Sequence, residues 1–244
     1  MTKPQIKWIS RHDPPGAFPA ISQALRSPNG LLAAGGDLSA ERLLHAYEHA
    51  IFPWFDTGQP ILWWSPDPRC VLLPANLHLS RRFRRSLKNM TFRVSFNEAF
   101  ADVIVACSGK RDRHTGTWIT PEMIDAYRML HADGWAHSVE VWLEGELVGG
   151  IYGVAIGRAF FGESMFSRVT NASKVAVLAL CTQLCAHDFT VLDCQVASPH
   201  LMSLGAKRMP RTEFASLLEA VCTPRCRFDE WPRTRIDAAS LQVE

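Results

Sequence analysis

SVEVWLEGELVGGIYGVAIGRAFFGE, residues 138–163, is the stretch whose reading decides the fold. Val139, Val141 and Leu143 alternate with Ser138, Glu140 and Trp142, the period of two expected of a strand. Glu144-Gly145 marks a turn, and Leu147 to Ala155 continues as a second strand. Ile156-Gly157 turns again, and Arg158 to Glu163 returns as a third. Beyond this hairpin array, Asn171-Ala172-Ser173 opens an apolar helix through about Ala186. Val191 to Val196 reads as a further strand and about Thr212 to Cys222 as an amphipathic helix. On the N-terminal side a helix runs from about Pro121 to His131, with Pro121 suited to its first turn and Gly134 just past its end. Further upstream, Leu79, Phe83 and Leu87 recur every four residues and give one apolar helical stripe, with Arg81, Arg82, Arg84, Arg85 and Lys88 on the remaining faces. A helix from Ala40 to Ile51 follows Ser39, a suitable N-cap. Between these two helices, Phe52-Pro53-Trp54-Phe55 and Trp63-Trp64-Ser65-Pro66-Asp67-Pro68-Arg69 are too rich in proline for central sheet and read as an irregular wall of aromatics. Helices, hairpin strands, helix, strand and helix in that order indicate a mixed α/β (α+β) core.

The bulk numbers permit many functions. The chain has 244 residues, 47% of them hydrophobic and 20% charged, with a formal net charge of +2. It is long enough for one large domain or two modest ones. A near-neutral balance means that any nucleic-acid role must come from a local patch. The longest apolar run, Val175 to Leu180, is far too short to span a bilayer, and the N-terminal Lys3, Lys7 and Arg11 enclose no apolar stretch of a secretory signal. Seven cysteines, an odd number, form no compact framework. With no export signal, they fit free thiols in a reducing cytoplasm. Cys181/Cys185 and Cys222/Cys226 lack the tight spacing or partner histidines of a zinc site, so no metal is expected.

Several residues could carry chemistry. Asp193 and Gln195 lie two apart on a core-type strand and share a face, Cys194 taking the other. Two polar groups there require partners or a polar cavity, so they form either a catalytic pocket or a hydrogen-bonded pair fastening a loop. Glu163 ends an apolar strand among aromatics. Burial would raise its pKa and a cationic partner would lower it. Met165 and Phe166 beside it are core residues by default and pocket lining otherwise. The helix start at Asn171 offers backbone N–H groups to a phosphate or a ribose, or is an ordinary N-cap. The basic helix suits a phosphate backbone or forms a solvated face. Trp54, Trp63, Trp64 and Trp118 could stack on a base, although a single Trp more often packs a core. No Gly-x-Ser-x-Gly elbow and no credible Ser-His-Asp order disfavour covalent catalysis.

Ten short stretches, in order between residues 29 and 211, resemble the bacterial leucyl/phenylalanyl-tRNA–protein transferases. They include Gly35-Gly36-Asp37-Leu38, Phe52-Pro53-Trp54-Phe55, Trp63 to Arg69, Gly116-Thr117-Trp118-Ile119-Thr120, His137 to Trp142, Leu147 to Val154, Gly162 to Ser167, Asn171 to Lys174, Asp193-Cys194-Gln195 and Ser203-Leu204-Gly205-Ala206. The resemblance implies a small N-terminal domain over residues 1–68 and a C-terminal, GNAT-like acyltransferase domain over 69–244. It also implies transfer of Leu or Phe, with Met as a further donor residue, from aminoacyl-tRNA to proteins with N-terminal Arg or Lys. Acceptors so lengthened enter N-end rule degradation. The enzyme would be a cytoplasmic monomer, away from membranes and without a cofactor. Position by position, Trp54 and Trp118 look like residues holding the terminal adenosine, and Tyr127 like a further wall. Glu163 looks like the carboxylate that contacts a substrate amine, and Asp193 and Gln195 like the pair assisting attack. Phe160 and Met165 would line the side-chain pocket, Ser167 and Asn171 would lie with the substrate-binding residues, and Arg81 to Lys88 would grip the tRNA. Ser198 stands where the family often has Asn, and the segment from Cys222 onward diverges. Two rivals remain: a CoA-dependent N-acyltransferase, disfavoured because Arg168 to Ser173 has no glycine-rich pyrophosphate loop, and a non-catalytic tRNA-binding module.

Overall fold

A computed structural model describes residues 6–109 and 119–241. Two sheets organise them. The first has four strands: β1 (Lys7–Ile9), β2 (Leu31–Gly35), β3 (Phe52–Pro53) and β4 (Leu62–Trp64), in the spatial order β1-β2-β4-β3. The second has eight. To β5 (Arg69–Leu72) and β6 (Arg93–Phe96) it adds β7 (Ala136–Leu143), β8 (Glu146–Ile156), β9 (Ala159–Ser167), β10 (Val191–Gln195), β11 (Lys207–Met209) and β12 (Ile236–Asp237). Their order is β11-β5-β10-β9-β8-β7-β6-β12. Within this larger sheet β9 and β10 pair in parallel and the other described pairs are antiparallel. A parallel pair needs a crossover, and α5 (Ala172–Ala186) supplies it.

Both faces of the large sheet are covered, so its strands carry apolar residues on both sides. One face packs on α3 (Phe100–Cys107), α4 (Pro121–Ala132) and α7 (Arg211–Val221), through Tyr152, Val154, Phe161 and Val191. The small sheet and α1 (Ala40–Glu48) join this same core, with Trp63, Tyr47 and Phe52 among the residues of the large sheet's helices. The other face packs on α5 and on α2 (Arg81–Leu87), through Leu72, Val139, Ile151, Phe160 and Leu192. Burial extends to the polar positions of the opening stretch. Glu140 is buried, and its carboxylate accepts hydrogen bonds from Ser95, Ser138 and the Glu98 backbone. Burial raises its pKa despite those bonds.

Helix α5 crosses β8 closely. A Cβ on Gly149 would lie 2.5 Å from the Ala172 Cβ, so only glycine fits beneath the first turn of the helix. Asn171 occupies the N-cap position with a left-handed φ of 72° and no side-chain capping bond. Ser167, the last residue of β9, caps instead: its Oγ accepts the Ser173 N–H at 3.2 Å. The short helix α6 (Pro199–Ser203) is capped by Ser198, which accepts the Leu201 N–H.

The structure departs from the sequence reading in the proline-rich stretch. Leu62–Trp64 is a strand flanked on both sides, and Arg69–Leu72 is interior to the large sheet. Pro66 and Pro68 fall in the connection between them, where a missing N–H costs no ladder bond. Helix α1 stops at Glu48 rather than Ile51, because Ala50 adopts a left-handed φ of 62° and turns the chain back. Strand β6, which lies between β7 and the edge strand β12, and helix α3 are unmarked in the sequence reading. Among the described residues no helix is long and apolar enough to cross a membrane.

Candidate active site

Strand β9 carries one residue more than β8 opposite it: Tyr152 pairs with Ser164 and Gly153 with Gly162, leaving Glu163 as the extra residue of a bulge. Such bulges re-aim a side chain. Here the Glu163 carboxylate meets three donors. Tyr47 of α1 donates to Oε1 at 2.7 Å, Tyr127 of α4 to Oε2 at 3.0 Å, and Gln195 Nε2 of β10 to Oε1 at 2.8 Å. The Tyr47 and Tyr127 hydroxyls also hydrogen-bond to each other. Burial pushes the Glu163 pKa up to about 7, against the lowering effect of these three bonds, and the nearby Asp193 charge pushes the same way. The cationic partner that would reverse the shift does not appear among the described contacts of Glu163. Both tyrosines are raised as well, first by burial and then by Glu163.

A tyrosine has one hydroxyl proton. The Tyr47–Tyr127, Tyr47–Glu163 and Tyr127–Glu163 contacts need three protons, and two phenols supply two. The third is present when Glu163 is protonated, so the cluster completes its hydrogen bonds by taking up a proton.

Asp193 is committed elsewhere. Arg69 of β5 clamps it with Nε to Oδ1 at 2.9 Å and Nη2 to Oδ2 at 2.7 Å, with side chains 1% and 0% exposed. The guanidinium lies 4.7 Å and 5.0 Å from the Phe52 and Phe214 ring centres, and its Nη1 donates to the Ala50 carbonyl. Asp193 Oδ1 also accepts the backbone N–H of Gln195 at 2.9 Å. A second bulge, at Cys194, leaves Gln195 with a left-handed φ of 60° and its side chain on Glu163. Asp193 thus fixes the backbone of Gln195, and Gln195 reaches the Glu163 carboxylate.

An apolar cavity of about 80 Å³ adjoins these groups, walled by Leu72, Ile151, Met165, Val177, Leu192 and Leu201, with Glu163, Asp193 and Cys194 on its border. That is well above the roughly 10–15 Å³ a single water needs. Of the residues singled out in the sequence, Glu163, Tyr127, Asp193, Gln195 and Met165 come together here. Phe160 lies in the core on α5's side of the sheet, its ring 6.2 Å from that of Trp231. Ser167 and Asn171 sit at the start of α5, with Ser167 roughly 13 Å along the strand from Glu163. Trp54 is 41% exposed with its ring 5.6 Å from Trp64, whereas Trp63 is fully buried and donates to the Gly35 carbonyl. Trp118, with Gly116 and Thr117, lies outside the described residues. Arg81, Arg82, Arg84, Arg85 and Lys88 are all exposed on α2, while Phe83 and Leu87 anchor it. Tyr47 and Arg69 are the two site residues that sequence reasoning missed.

His45, Glu48 and His49 on α1 bring possible metal-ligand atoms within 4.8 Å of one another. Arg225 already takes both Glu48 oxygens at 2.5 Å, and the two imidazoles stack with centroids 4.0 Å apart. The cluster is satisfied as an ion pair and a ring stack.

A family model described as leucyl/phenylalanyl-tRNA protein transferase matches residues 71–219, and the model of that family's N-terminal domain matches residues 36–67. A leucyl/phenylalanyl-tRNA–protein transferase of Saccharophagus degradans is 51% identical over 93% of this chain and 94% of its own length. One of Azotobacter vinelandii is 59% identical over 83% of this chain and 89% of its own. Among solved structures, a GCN5-related N-acetyltransferase from Kribbella flavida superposes with a TM-score of 0.35 at 13% identity, over 67% of this chain and 58% of that one.

Proposed function

The chain belongs to the leucyl/phenylalanyl-tRNA–protein transferases, and on that premise we propose that it moves Leu or Phe, with Met as a further donor residue, from aminoacyl-tRNA to N-terminal Arg or Lys of acceptor proteins. The product is an acceptor one residue longer, marked for N-end rule degradation, and a free tRNA. We place the reaction in the cytoplasm and assign the enzyme as a monomer. The observation that carries this reading is the apolar cavity bordered by Glu163, whose carboxylate accepts a hydrogen bond from Gln195. The cavity takes the donor side chain, and the polar border handles the amine. Trp54, partly exposed, and Trp118 hold the terminal adenosine, and the five cations of α2 meet acceptor-stem phosphates.

The aminoacyl ester is already activated, so no covalent enzyme intermediate is needed. Orientation of amine against ester supplies several kcal/mol of the barrier, of the order seen in well-aligned intramolecular reactions. Gln195 is neutral and acts by holding the amine through its amide oxygen. A free α-amine has pKa about 7.7–8.0, so a useful fraction is neutral near pH 8. The proton released on attack goes to Glu163, whose pKa of about 7 is matched to that task. Protonation gives the Tyr47–Tyr127–Glu163 cluster its missing proton. Asp193, clamped by Arg69, positions Gln195 and does not leave its ion pair.

A transfer assay tests the proposal. Radiolabelled Leu-tRNA is mixed with the protein and with two model acceptors, one starting with Arg and one with Ser. Label on the Arg acceptor alone supports both reaction and acceptor rule. No label on either, with tRNA still bound, overturns the transfer reading. Gln195→Ala is expected to lower kcat with little change in substrate affinity, and a loss confined to tRNA affinity would count against its positioning role.

A further inference from the structure

Two thiols beside the reacting groups have no part in this chemistry. Cys70 follows Arg69 on β5, and Cys194 sits between Asp193 and Gln195 on β10. The strands pair antiparallel with Cys70 opposite Gln195, and Cys194 is the extra residue of the bulge. Both cysteines are free and face the core on α5's side of the sheet, and their side chains are hydrogen-bonded to each other. That bond holds the Cys70 thiol below its ordinary range, and the same bond, with burial, holds Cys194 well above it. Cys194 borders the apolar cavity, so a small solute entering there meets that thiol, and Cys70 stands next to it across the bulge.

We propose that Cys70 and Cys194 form an oxidation site for hydroperoxides, closing to a disulfide that removes the active arrangement of Gln195. The Cys70 thiolate, its proton given to solvent, attacks one peroxide oxygen: an S–O bond forms, the O–O bond breaks, and the departing hydroxide (or alkoxide, from an organic peroxide) takes a proton back and leaves as water or an alcohol. The Cys194 thiol then attacks the sulfenic sulfur, the S–S bond forms, and the hydroxyl departs as water with the thiol proton. Two thiols are oxidised and one peroxide is reduced. In the bulge Cys194 and Gln195 together face Cys70, across strands spaced about 4.7–4.9 Å apart, and a disulfide spans Cα separations of about 4.4–6.8 Å. Closing the bond draws the bulge toward β5 and carries Gln195 off Glu163. A displacement of about 1 Å in a positioning group costs on the order of 10²-fold in rate.

The disulfide stands independently of the proposed reaction, whereas the loss of transfer rests on it. The full-length protein is treated with hydrogen peroxide, digested without reduction and mapped by mass spectrometry, with transfer measured in parallel. Expected are a peptide pair linked through Cys70 and Cys194, a loss of transfer on the order of a hundredfold, and recovery of both by dithiothreitol. Cys70→Ala and Cys70→Ser should keep basal transfer and resist peroxide. Absence of the linked pair, or a Cys181–Cys194 link in its place, overturns the site. Inactivation persisting in both Cys70 variants, or a linked protein that still transfers at full rate, overturns its effect on activity. An untreated protein without transfer activity refutes the function proposed above and leaves the peptide map to decide the disulfide.

Discussion

Replacing Arg69 by methionine will destabilise the protein by about 3–5 kcal/mol, the usual cost of stranding one partner of a buried ion pair. Methionine fills much of the space between Phe52 and Phe214 but leaves Asp193 with a single donor, the Gln195 backbone N–H. The carboxylate is fully buried, so the upper half of that range applies. With a urea m-value of about 2–3 kcal/mol/M, the unfolding midpoint falls by about 1–2.5 M. Asp193→Leu, which strands the guanidinium instead, should cost a similar amount. The double variant Arg69→Met/Asp193→Leu removes both charges and should recover most of the loss, giving a coupling energy of several kcal/mol. It should also fold and yet fail in transfer, because the Gln195 backbone has lost its anchor. Urea unfolding of the four proteins decides the matter. Single variants costing less than about 1 kcal/mol, or a double variant equal to the sum of the singles, would refute the view that this pair is a desolvated lock.

Three other outcomes follow from the described geometry. Glu163 has a folded pKa raised from 4.5 to about 7, so its contribution to stability is fully present below 4.5 and is lost as pH rises through 7. Wild type should therefore lose about 3 kcal/mol relative to Glu163→Gln between pH 4.5 and 8; denaturant melts that stay parallel across that range would show the shift to be absent. Replacing Arg81, Arg82, Arg84 and Arg85 by glutamine should leave stability within about 0.5 kcal/mol. It should reduce the salt slope of tRNA binding by roughly 0.7–0.9 for each phosphate that is no longer neutralised, and an unchanged slope in filter binding would remove α2 from the tRNA interface. Gly149→Ala puts a methyl group 2.5 Å from the Ala172 Cβ and should cost about 1–3 kcal/mol, visible as a lower thermal midpoint; a neutral result would mean that α5 moves away freely.

Local signals made much of the fold legible. Strands β7, β8 and β9, with the turns at Glu144-Gly145 and Gly157, follow from alternation and glycine, and α4 and α5 from apolar spacing with Pro121 and Gly134. Glu163, Asp193 and Gln195 were legible as polar residues in apolar strands. Tyr47 was not, because on its helix it resembles any other buried aromatic. Its hydroxyl bonds to Glu163, 116 positions away. Arg69 closes on Asp193 across 124 positions, and no local pattern announces such a pairing. Strands β4 and β5 were hidden because prolines near a strand read like prolines within it. The bulges at Glu163 and Cys194 were hidden because an extra residue on one strand is visible only against its neighbour. The alternation that puts Phe161 beside Tyr47 turns Phe160 to α5's side of the sheet, the side of the cavity walls Leu72, Ile151 and Leu192.

The core shared by the two sheets also governs how the chain is made. Residues such as Tyr47, Phe52 and Trp63 leave the ribosome early, yet their covering partners include Phe161 and Phe214. At synthesis rates of about 5–20 residues per second, Trp63 waits roughly 8–30 s for helix α7 to emerge. For that interval the N-terminal sheet carries an unburied aromatic surface, a natural target for holding chaperones and a point at which slow or paused translation invites aggregation.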